Sequence, residues 1–308
     1  MPTITESTIH PDVDSATRAK SWPRIALITP VFNSGRYIEQ TIRSVLAQSY
    51  PNLDYFIVDG GSTDNTIEII RKYEGSISGW ISEPDKGMYD AINKGFSSTA
   101  GDLMGWISAT DQLHAGALSI VGSVFREFPG VEWITGRPTS FSEEGMTIEI
   151  GSIPRWSRVG FLAGFNRYIQ QECTFWRRSL WTKAGAYVDA SRRSASDFEL
   201  WLRFFRHARL YPVDGLIGGY RYHPDADSVV NIDGYNRICD GIVEKELEGV
   251  PWGRALQTLN RTSRAVAHIR VLRGFWYWTV IRGLDWILRG DLTPVIQFRS
   301  ERWVMTKR

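Results

Sequence analysis

Short apolar runs alternate with segments of helical periodicity through the first 125 residues of the chain. Four apolar runs predict buried strands, and they cover residues 24–30, 54–59, 79–82 and 103–108. Between the runs, apolar side chains recur every three to four residues, and the clearest stripe comprises Ile38, Ile42, Val45 and Leu46. This alternation predicts an α/β fold with a mainly parallel central sheet flanked by helices on both faces.

Aspartates stand at the ends of the predicted strands. Asp59, Asp85 and Asp111 each lie at or just after a strand end, and ligands of such sheets bind beyond the carboxyl ends of the strands. A rim of carboxylates suits a metal–diphosphate ligand, because Mg²⁺ or Mn²⁺ takes carboxylate oxygens and shares its other positions with phosphates. A single aspartate would be ascribed to turn formation, but three on one rim favour a binding site.

The composition narrows the classes of function. The 308 residues are 43% hydrophobic and 23% charged, which is ordinary for a globular chain. A net charge of +2 gives no basic field, so no nucleic-acid partner is predicted. Neither GxGxxG nor GxxxxGK[ST] follows the first strand, so a dinucleotide oxidoreductase and a P-loop phosphotransferase are unsupported.

The termini and the cysteines lead to an expectation about location. Residues 1–22 are polar and lack the pattern of a signal peptide, which predicts a disordered leader. No uncharged apolar stretch reaches the roughly 20 residues of a membrane-spanning helix. Cys173 and Cys239 are interpreted as buried thiols in a reducing compartment. We therefore expect the catalytic body in the cytoplasm.

Five segments, in their order and spacing, resemble glycosyltransferase family 2, the inverting nucleotide-sugar transferases of the GT-A fold. They cover residues 29–33, 58–64, 83–95, 101–111 and 196–203. The third segment is similar to bacterial enzymes that build capsule, exopolysaccharide or O-antigen, and the whole resemblance spans residues 24–230. It implies transfer of a sugar from a nucleotide-diphosphate donor to a hydroxyl of a glycan or a lipid-linked acceptor.

The resemblance also implies a set of donor-binding residues. They are Thr29, Pro30, Val31, Phe32, Asp59, Asp85, Lys86, Asn93, Lys94, Arg221 and His223. Residues 29–32 would pack against the nucleoside, and Asp59 would accept hydrogen bonds from the N–H groups of the base. Alternatives stay open for several of these positions: Lys86 as a solvated charge, Asn93 and Lys94 as helix surface, and His223 as a structural side chain.

The metal-binding motif departs from the family pattern. The family usually has Asn/Asp-x-Asp-Asp, whereas this chain has Ser108-Ala109-Thr110-Asp111 and keeps only the last acid. The resemblance makes Asp111 a direct ligand of a divalent metal, Mg²⁺ or Mn²⁺. Because magnesium leans on one or two carboxylates plus the phosphates, a single acid predicts weak metal binding without donor, or reduced metal dependence.

The resemblance assigns the role of general base to Asp197. It would take the proton of the acceptor hydroxyl while that oxygen attacks the anomeric carbon. The alternative role is a helix N-cap, and the two roles are compatible. The helix that follows is predicted to pack inward through its apolar stripe, with Glu199 and Arg203 as an outward i,i+4 pair.

The second half of the chain is predicted to bind the acceptor. Gln171 and Trp176 are the candidate contacts, Trp176 by stacking on a sugar ring. The predicted organisation has a leader (1–22), a nucleotide-sugar-binding half (23–115), an acceptor-binding half (116–230) and a helical C-terminal extension (231–308). Oligomeric state, donor and linkage are left open.

The tail from residue 265 mixes aromatic and arginine side chains. Charged residues interrupt its apolar run, which excludes a spanning helix. Two interpretations stay open: a helix packed on the body, or a helix lying in the membrane interface. The second would give contact with the inner face of the cell membrane, which would suit a lipid-linked acceptor.

Two rival functions are weighed against transfer. A sugar nucleotidyltransferase would share the fold class, but it would want a glycine-rich phosphate loop after the first strand, where this chain has only Asn33-Ser34-Gly35. A non-catalytic sugar-nucleotide-binding protein is suggested by the missing acid at Thr110. The presence of Asp111 and Asp197 argues against it.

Overall fold

The computed structural model of the chain describes residues 22–164, 167–223, 231–267, 279, 283 and 292–306. Apart from Trp22, the predicted leader lies outside the described residues. So does most of the aromatic and arginine-rich tail.

The first half alternates strands and helices as the apolar pattern predicted. The strands are β1 (Ile25–Val31), β2 (Leu53–Asp59), β3 (Gly79–Ser82) and β4 (Leu103–Trp106). The helices are α1 (Ile38–Leu46), α2 (Thr66–Lys72), α3 (Met88–Ser97) and α4 (Ala117–Glu127), and a 3₁₀ turn spans Glu74–Ser76. In the apolar stripe of α1, Ile38, Ile42 and Val45 are buried and Leu46 is half-buried, so the helical period correctly indicated the buried face.

The second half has shorter elements. Its strands are β5 (Gln112–Leu113), β6 (Trp133–Thr135), β7 (Thr139–Phe141), β8 (Thr147–Ile150), β9 (Thr174–Arg177), β10 (Leu210–Pro212) and β11 (Gly218–Arg221). Its helices are α5 (Arg158–Leu162), α6 (Arg178–Lys183) and α7 (Ser196–His207), and a 3₁₀ turn spans Gln171–Cys173. The C-terminal part adds α8 (Ile232–Glu246), α9 (Gly253–Ala267), β12 (Val295–Arg299) and β13 (Arg302–Thr306).

A seven-stranded sheet organises the described part of the chain, in the order β10-β6-β9-β4-β1-β2-β3. The neighbours β3, β2, β1 and β4 run parallel, β9 runs antiparallel to β4 and β6, and β10 is parallel to β6. The prediction of a mainly parallel sheet is confirmed. Strands from both predicted halves share this sheet. A second sheet, ordered β5-β11-β7-β8, carries the residues that flank Asp111.

Tryptophans dominate the core on one face of the large sheet. Trp106, Trp133, Trp176 and Trp201 are almost completely buried, and the rings of Trp106 and Trp201 stack with centroids 5.6 Å apart. On this same face, α3 comes so close to β1 that a Cβ added at Gly95 would lie 2.5 Å from the Ile28 side chain. The unusual tryptophan content of the chain therefore serves packing here.

The C-terminal part differs from the predicted helical extension. Helices α8 and α9 fit that prediction, but β12 and β13 form an antiparallel hairpin. Ser300 and Glu301 turn the chain with φ of 46° and 64°, which matches the turn that two-residue hairpins require. Ile296 forms a bridge with Val213, which attaches the hairpin beside the large sheet. Among the described residues, no helix has both the length and the apolar character needed to cross a bilayer.

Candidate active site

The ends of β1, β2 and β3 meet at one rim of the sheet, where Val31 pairs with Asp59 and Asp59 pairs with Ser82. Asp59 is fully buried. Its carboxylate accepts hydrogen bonds from the N–H groups of Gly61 and Ser62, both at 3.0 Å, and from the hydroxyls of Ser62 and Ser82. Asp59 therefore orders the loop after β2. The predicted direct contact with a base does not fit this arrangement, because the buried carboxylate has no surface to offer.

Of the four residues predicted to pack against a nucleoside, only Phe32 is exposed. Thr29, Pro30 and Val31 belong to β1 and are buried, with Thr29 Oγ1 3.0 Å from Tyr55 Oη. Phe32 follows the strand directly and is 60% exposed. An exposed aromatic ring beyond the carboxyl end of a parallel strand is well placed to stack on a planar ligand.

The segment after β3 lies against the loop that follows β2. A Cβ added at Gly60 would be 2.8 Å from Asp85 Oδ2, so Asp85 sits directly over this loop. The Lys86 side chain is exposed, as the alternative of a solvated charge requires. Lys94 Nζ lies 2.8 Å from Glu83 Oε1, and the hydrogen bond to Glu83 raises the pKa of Lys94. Lys94 is a cation near the rim that already has an acidic partner.

Asn93 joins helix α3 to the segment that leads into α7. Its Nδ2 donates to Val188 O (2.7 Å), and Val188 N donates to its Oδ1 (2.8 Å). Both ends of the amide are therefore used inside the protein. Neither the predicted donor contact nor a solvated helix surface describes Asn93, which instead fixes the approach to Asp197.

Asp111 is buried between the two sheets, with 2% of its surface exposed. Its Oδ1 accepts the backbone N–H of Arg221 in β11 at 3.0 Å. Burial raises the pKa of Asp111 to about 7, although the Arg221 N–H, the Arg221 guanidinium and the Ser108 hydroxyl all oppose that rise. The only acid of the motif is thus held by the backbone of another strand in a weakly solvated position.

The Arg221 side chain is fully buried and is hydrogen-bonded to the metal motif. Its guanidinium donates to Thr110 O and to Glu143 O, and none of its surface is exposed. The predicted contact of Arg221 with the donor does not fit this arrangement, because none of the side chain is exposed. His223 packs its ring against Tyr37, with centroids 5.2 Å apart, which favours the structural alternative.

The two predicted acceptor contacts also serve the interior. Gln171 Oε1 accepts the Trp106 indole N–H, and Gln171 Nε2 donates to Ser108 Oγ at 2.9 Å. Trp176 has no exposed surface and packs against Trp106 and Trp201. The predicted stacking of Trp176 on a sugar does not fit this arrangement, because none of the ring is exposed.

Asp197 lies in the first turn of α7 and is partly buried. Ala195 occupies the N-cap position with φ of 63°, so capping is not the role of Asp197. Two tyrosine hydroxyls face its carboxylate: Tyr89 from α3 and Tyr235 from α8, each at 3.4 Å. Burial raises the pKa of Asp197, and hydrogen bonds from the backbone and from these hydroxyls only partly offset the rise.

Helix α7 packs inward as predicted, through Phe198, Trp201, Leu202 and Phe205. The ion pair between Glu199 and Arg203 forms at 2.9 Å, but it does not point outward. Arg203 is buried and also donates to Tyr187 O at 2.7 Å. The pair therefore fastens α7 to the preceding loop, which together with Asn93 sets the position of Asp197.

The sequence analysis missed Glu172. This acid lies in the 3₁₀ turn before β9 and is only 3% exposed, and its Oε1 has no hydrogen-bond partner among the described residues. Burial raises its pKa well above the usual value, and the charges of Asp111 and then Asp197 raise it further. The turn that carries Glu172 packs on β4 and β5, the strands on either side of Asp111 in the chain, and on β11, which binds the Asp111 carboxylate. The sequence did contain a signal for this buried acid, since Glu172 stands directly before Cys173 and the apolar strand β9.

Comparisons with known proteins find similarity to glycosyltransferases. Residues 26–127 match the family model described as glycosyl transferase family 2. An uncharacterized glycosyltransferase of Mycobacterium tuberculosis is 29% identical over 199 residues, which cover 59% of this chain and 69% of the relative.

Two solved structures show the same fold at low sequence identity. Staphylococcus aureus TarS 1-349 in complex with UDP-GlcNAc has a TM-score of 0.64 at 14% identity, covering 83% of this chain and 76% of that one. The mannosyltransferase PcManGT of Pyrobaculum calidifontis, in complex with GDP-Man and Mn²⁺, has a TM-score of 0.54 at 16% identity, covering 88% and 86%. The α/β architecture is thus the GT-A fold.

Proposed function

The chain belongs to glycosyl transferase family 2, and on this premise we propose that it is an inverting enzyme with a nucleotide-diphosphate-sugar donor. The observation that carries the proposal is the placement of Asp197. Its carboxylate is partly buried at the start of a well-anchored helix, α7. Trp201 of α7 stacks on Trp106, whose indole N–H donates to Gln171, and Gln171 in turn donates to Ser108 of the metal motif. A base and a metal-motif acid therefore belong to one site.

In the proposed reaction, Asp197 accepts the proton of an acceptor hydroxyl. The hydroxyl oxygen forms a bond to the anomeric carbon from the face opposite the diphosphate, and the bond between that carbon and the diphosphate oxygen breaks. The electron pair leaves with the nucleoside diphosphate, and the configuration at the carbon inverts. The Asp197 carboxylate must be ionised and within hydrogen-bond reach of the acceptor hydroxyl. The hydroxyls of Tyr89 and Tyr235, each 3.4 Å from the carboxylate, help to orient it.

Asp111 fits the role of metal ligand. The described residues hold no group of three His, Cys, Asp or Glu side chains able to bind an ion, so donor phosphates would have to share the ion with the protein. Apart from the Arg221 N–H and the Ser108 hydroxyl, the Asp111 carboxylate keeps acceptor capacity. A bound Mg²⁺ or Mn²⁺ would neutralise charge that develops on the leaving diphosphate.

The donor would lie across the rim formed by β1, β2 and β3. Phe32 offers an exposed ring for the base, and the loop ordered by Asp59 offers backbone groups. Asp85 and Lys94 flank this loop. Support for a nucleotide-sugar comes from the two solved structures, whose complexes contain UDP-GlcNAc and GDP-Man.

The acceptor is proposed to be a glycan or a lipid-linked saccharide of a cell-surface polysaccharide. The same proposal places the enzyme in the cytoplasm, with the tail after residue 265 in contact with the inner face of the membrane. The Trp and Arg content of that tail supports interfacial binding. Replacement of Arg270, Arg273, Arg282 and Arg289 by glutamine leaves the hairpin β12–β13 in the chain. It should reduce sedimentation with anionic liposomes and preserve transfer to a soluble acceptor. Equal sedimentation of both forms would favour a tail packed on the body.

The direct test is a screen of UDP- and GDP-sugars, with and without Mn²⁺, by thermal shift and by release of the nucleoside diphosphate. The expected result is stabilisation by one nucleotide class and slow hydrolysis of its sugar donor. With an acceptor in hand, NMR should show an anomeric configuration opposite to that of the donor. Binding without any hydrolysis or transfer would favour the non-catalytic binding protein, and retention of configuration would exclude the inverting mechanism.

A further inference from the structure

Glu172 is a buried acid for which the proposed mechanism has no use. Charged carboxylates are rarely buried unless they are paired, hydrogen-bonded or bound to a metal. Glu172 is 3% exposed, and no described residue donates a hydrogen bond to its Oε1. A buried oxygen without a hydrogen-bond partner calls for an explanation, and binding of an ion is one of the few available.

The fold places Glu172 against the strands that hold Asp111. The 3₁₀ turn Gln171–Cys173 packs on β4, β5 and β11. On one side, Gln171 Nε2 donates to Ser108 Oγ at 2.9 Å, and Ser108 opens the metal motif. On the other side, a Cβ added at Gly218 would lie only 2.1 Å from Glu172 O, so the turn and β11 are in close backbone contact.

The same strand β11 binds the metal-motif acid. Three residues beyond Gly218, the Arg221 N–H donates to Asp111 Oδ1. Asp111 is followed at once by β5, in which Leu113 pairs with Gly218, the residue that lies against Glu172 O. Burial, and then the charge of Asp111, raise the pKa of Glu172. Two buried carboxylates with interacting charges and few donors repel each other unless a cation lies between them or a proton is shared.

We propose that Glu172 is a second carboxylate ligand of the divalent metal. It replaces the acid that the motif lacks at position 110, where this chain has threonine. The inference rests on the proposed function, since it concerns the same metal site. It explains how a chain with one acid in Ser108–Asp111 keeps a usable site. Two carboxylates from different strands, completed by donor phosphates, match the usual provision for Mg²⁺ or Mn²⁺.

The test measures Mn²⁺ binding by the electron paramagnetic resonance signal of the free ion, without nucleotide and with UDP or GDP. Glu172→Gln keeps the size of the side chain and removes its charge. It should weaken Mn²⁺ affinity at least about tenfold, and the unfolding temperature without metal should not fall. The matched control is Glu132→Gln, because Glu132 pairs with Lys183 away from the site, and it should leave Mn²⁺ affinity unchanged.

A double-mutant cycle with Asp111→Asn sharpens the result. If both carboxylates bind one ion, their effects on Mn²⁺ affinity should be non-additive. The inference would be overturned if Glu172→Gln bound Mn²⁺ as tightly as the parent does, or if the effects of the two substitutions on Mn²⁺ affinity were additive. It would also be overturned if the parent bound no Mn²⁺. Should Glu172→Gln fail to fold, Glu172→Asp replaces it: the shortened side chain should weaken Mn²⁺ binding, and unchanged affinity would again refute a ligand.

The outcomes separate this inference from the proposed function. Weakened Mn²⁺ binding in the variant, together with no sugar transfer by the parent, would support Glu172 as a ligand and remove the transferase activity. Sugar transfer by the parent, together with undiminished Mn²⁺ binding in Glu172→Gln, would support the transferase activity and refute Glu172 as a ligand.

Discussion

Asp59 and Asp197 have the same side chain, but their carboxylates differ in the number and strength of the hydrogen bonds that they accept. The Asp59 carboxylate receives hydrogen bonds from two backbone N–H groups and two serine hydroxyls. The Asp197 carboxylate faces two tyrosine hydroxyls at 3.4 Å, which is long for an O–H···O hydrogen bond. The Asp59 carboxylate, with four hydrogen-bond donors, stabilises the structure around it. The Asp197 carboxylate, with weaker hydrogen bonds, is better able to accept a proton.

The regions around the two residues differ in the same way. The loop after β2 is tied together locally by Asp59 and its sequence neighbours. Asp197 is positioned from a distance, by Asn93 through Val188 and by Arg203 through Tyr187. We therefore expect stability to depend more on Asp59 and the proposed chemistry more on Asp197, and the same Asp→Asn change at each position should separate the two effects.

The largest expected effect comes from Asp197→Asn. Asparagine is nearly isosteric but cannot take a proton at neutral pH, and loss of a general base typically costs about 10²–10⁴-fold in rate. The free energy of unfolding should change little, because the carboxylate has few strong hydrogen bonds to lose. Product formation at saturating donor is the measurement, with donor affinity by calorimetry alongside. Transfer within a few-fold of the parent would remove Asp197 from the mechanism.

Glu199→Gln is the control from the same helix. Its loss weakens the ion pair with Arg203, so it should lower the free energy of unfolding by about 1 kcal/mol. The transfer rate should stay within a few-fold of the parent, because Arg203 still donates to Tyr187 O and so keeps α7 fastened to the loop. A rate loss as large as that of Asp197→Asn would mean that helix placement alone accounts for both.

The second effect in size is expected from Asp111→Asn. The asparagine Oδ1 can still accept the Arg221 N–H, so the fold should survive. Loss of the metal ligand removes several kcal/mol of charge stabilisation, which corresponds to a fall of about 10²-fold or more in metal-stimulated turnover. Rates measured across a Mn²⁺ titration provide the check. A variant that keeps the parent's Mn²⁺ response would show that the ion binds elsewhere or is not used.

The fold and the site were not equally predictable from the sequence. Strands β1 to β4 and their helices could be predicted from local periodicity, because the apolar residues that each element buries lie close together in the sequence. The hairpin β12–β13 was missed because the aromatic and arginine-rich segment before it suggested a helix. Its own residues carry the β-branched and aromatic side chains typical of strands.

Individual side chains proved harder to predict, because long-range packing decides where they go. Trp176 can stack on a sugar or in a core, and only the neighbouring Trp106 and Trp201 settle that choice. Arg221 can bind a phosphate or a buried carbonyl, and its carbonyl partner at Thr110 is 111 residues away in sequence. A motif fixes which residue is present at a position, whereas its partners fix what that residue can reach.

Asp59→Asn should give the reverse signature of Asp197→Asn. The amide nitrogen cannot accept the hydrogen bonds that one carboxylate oxygen receives, so buried donors are left unsatisfied at a cost of about 1–3 kcal/mol in unfolding free energy. Disorder of the loop should weaken donor binding more than it lowers turnover at saturating donor. Urea unfolding and calorimetric titration with donor are the measurements. Unchanged stability together with a large fall in saturated turnover would contradict the distinction between the two aspartates.

The smallest effect, and the finest test of the comparison, concerns the pH dependence set by the groups facing Asp197. These are Tyr89 from α3, Tyr235 and Cys239 from α8, and Glu172 from the 3₁₀ turn. Burial raises the pKa of Asp197, and the tyrosine hydroxyls lower it by hydrogen bonding. A base must be ionised, so the rate should rise with pH through this raised pKa and then level off.

Tyr235→Phe removes one of the two hydroxyl donors and should therefore raise the pKa of Asp197 further. The acid limb of the pH–rate profile should move to higher pH, and the plateau rate at high pH should stay close to that of the parent. Tyr168→Phe is the matched control, because Tyr168 touches the Tyr235 ring but donates its hydroxyl hydrogen to Asn236. It should leave the limb in place. A limb that moves to lower pH in Tyr235→Phe, or equally in both variants, would mean that the hydroxyl does not stabilise the ionised carboxylate. Asp197 would then owe its ionisation to the α7 backbone alone.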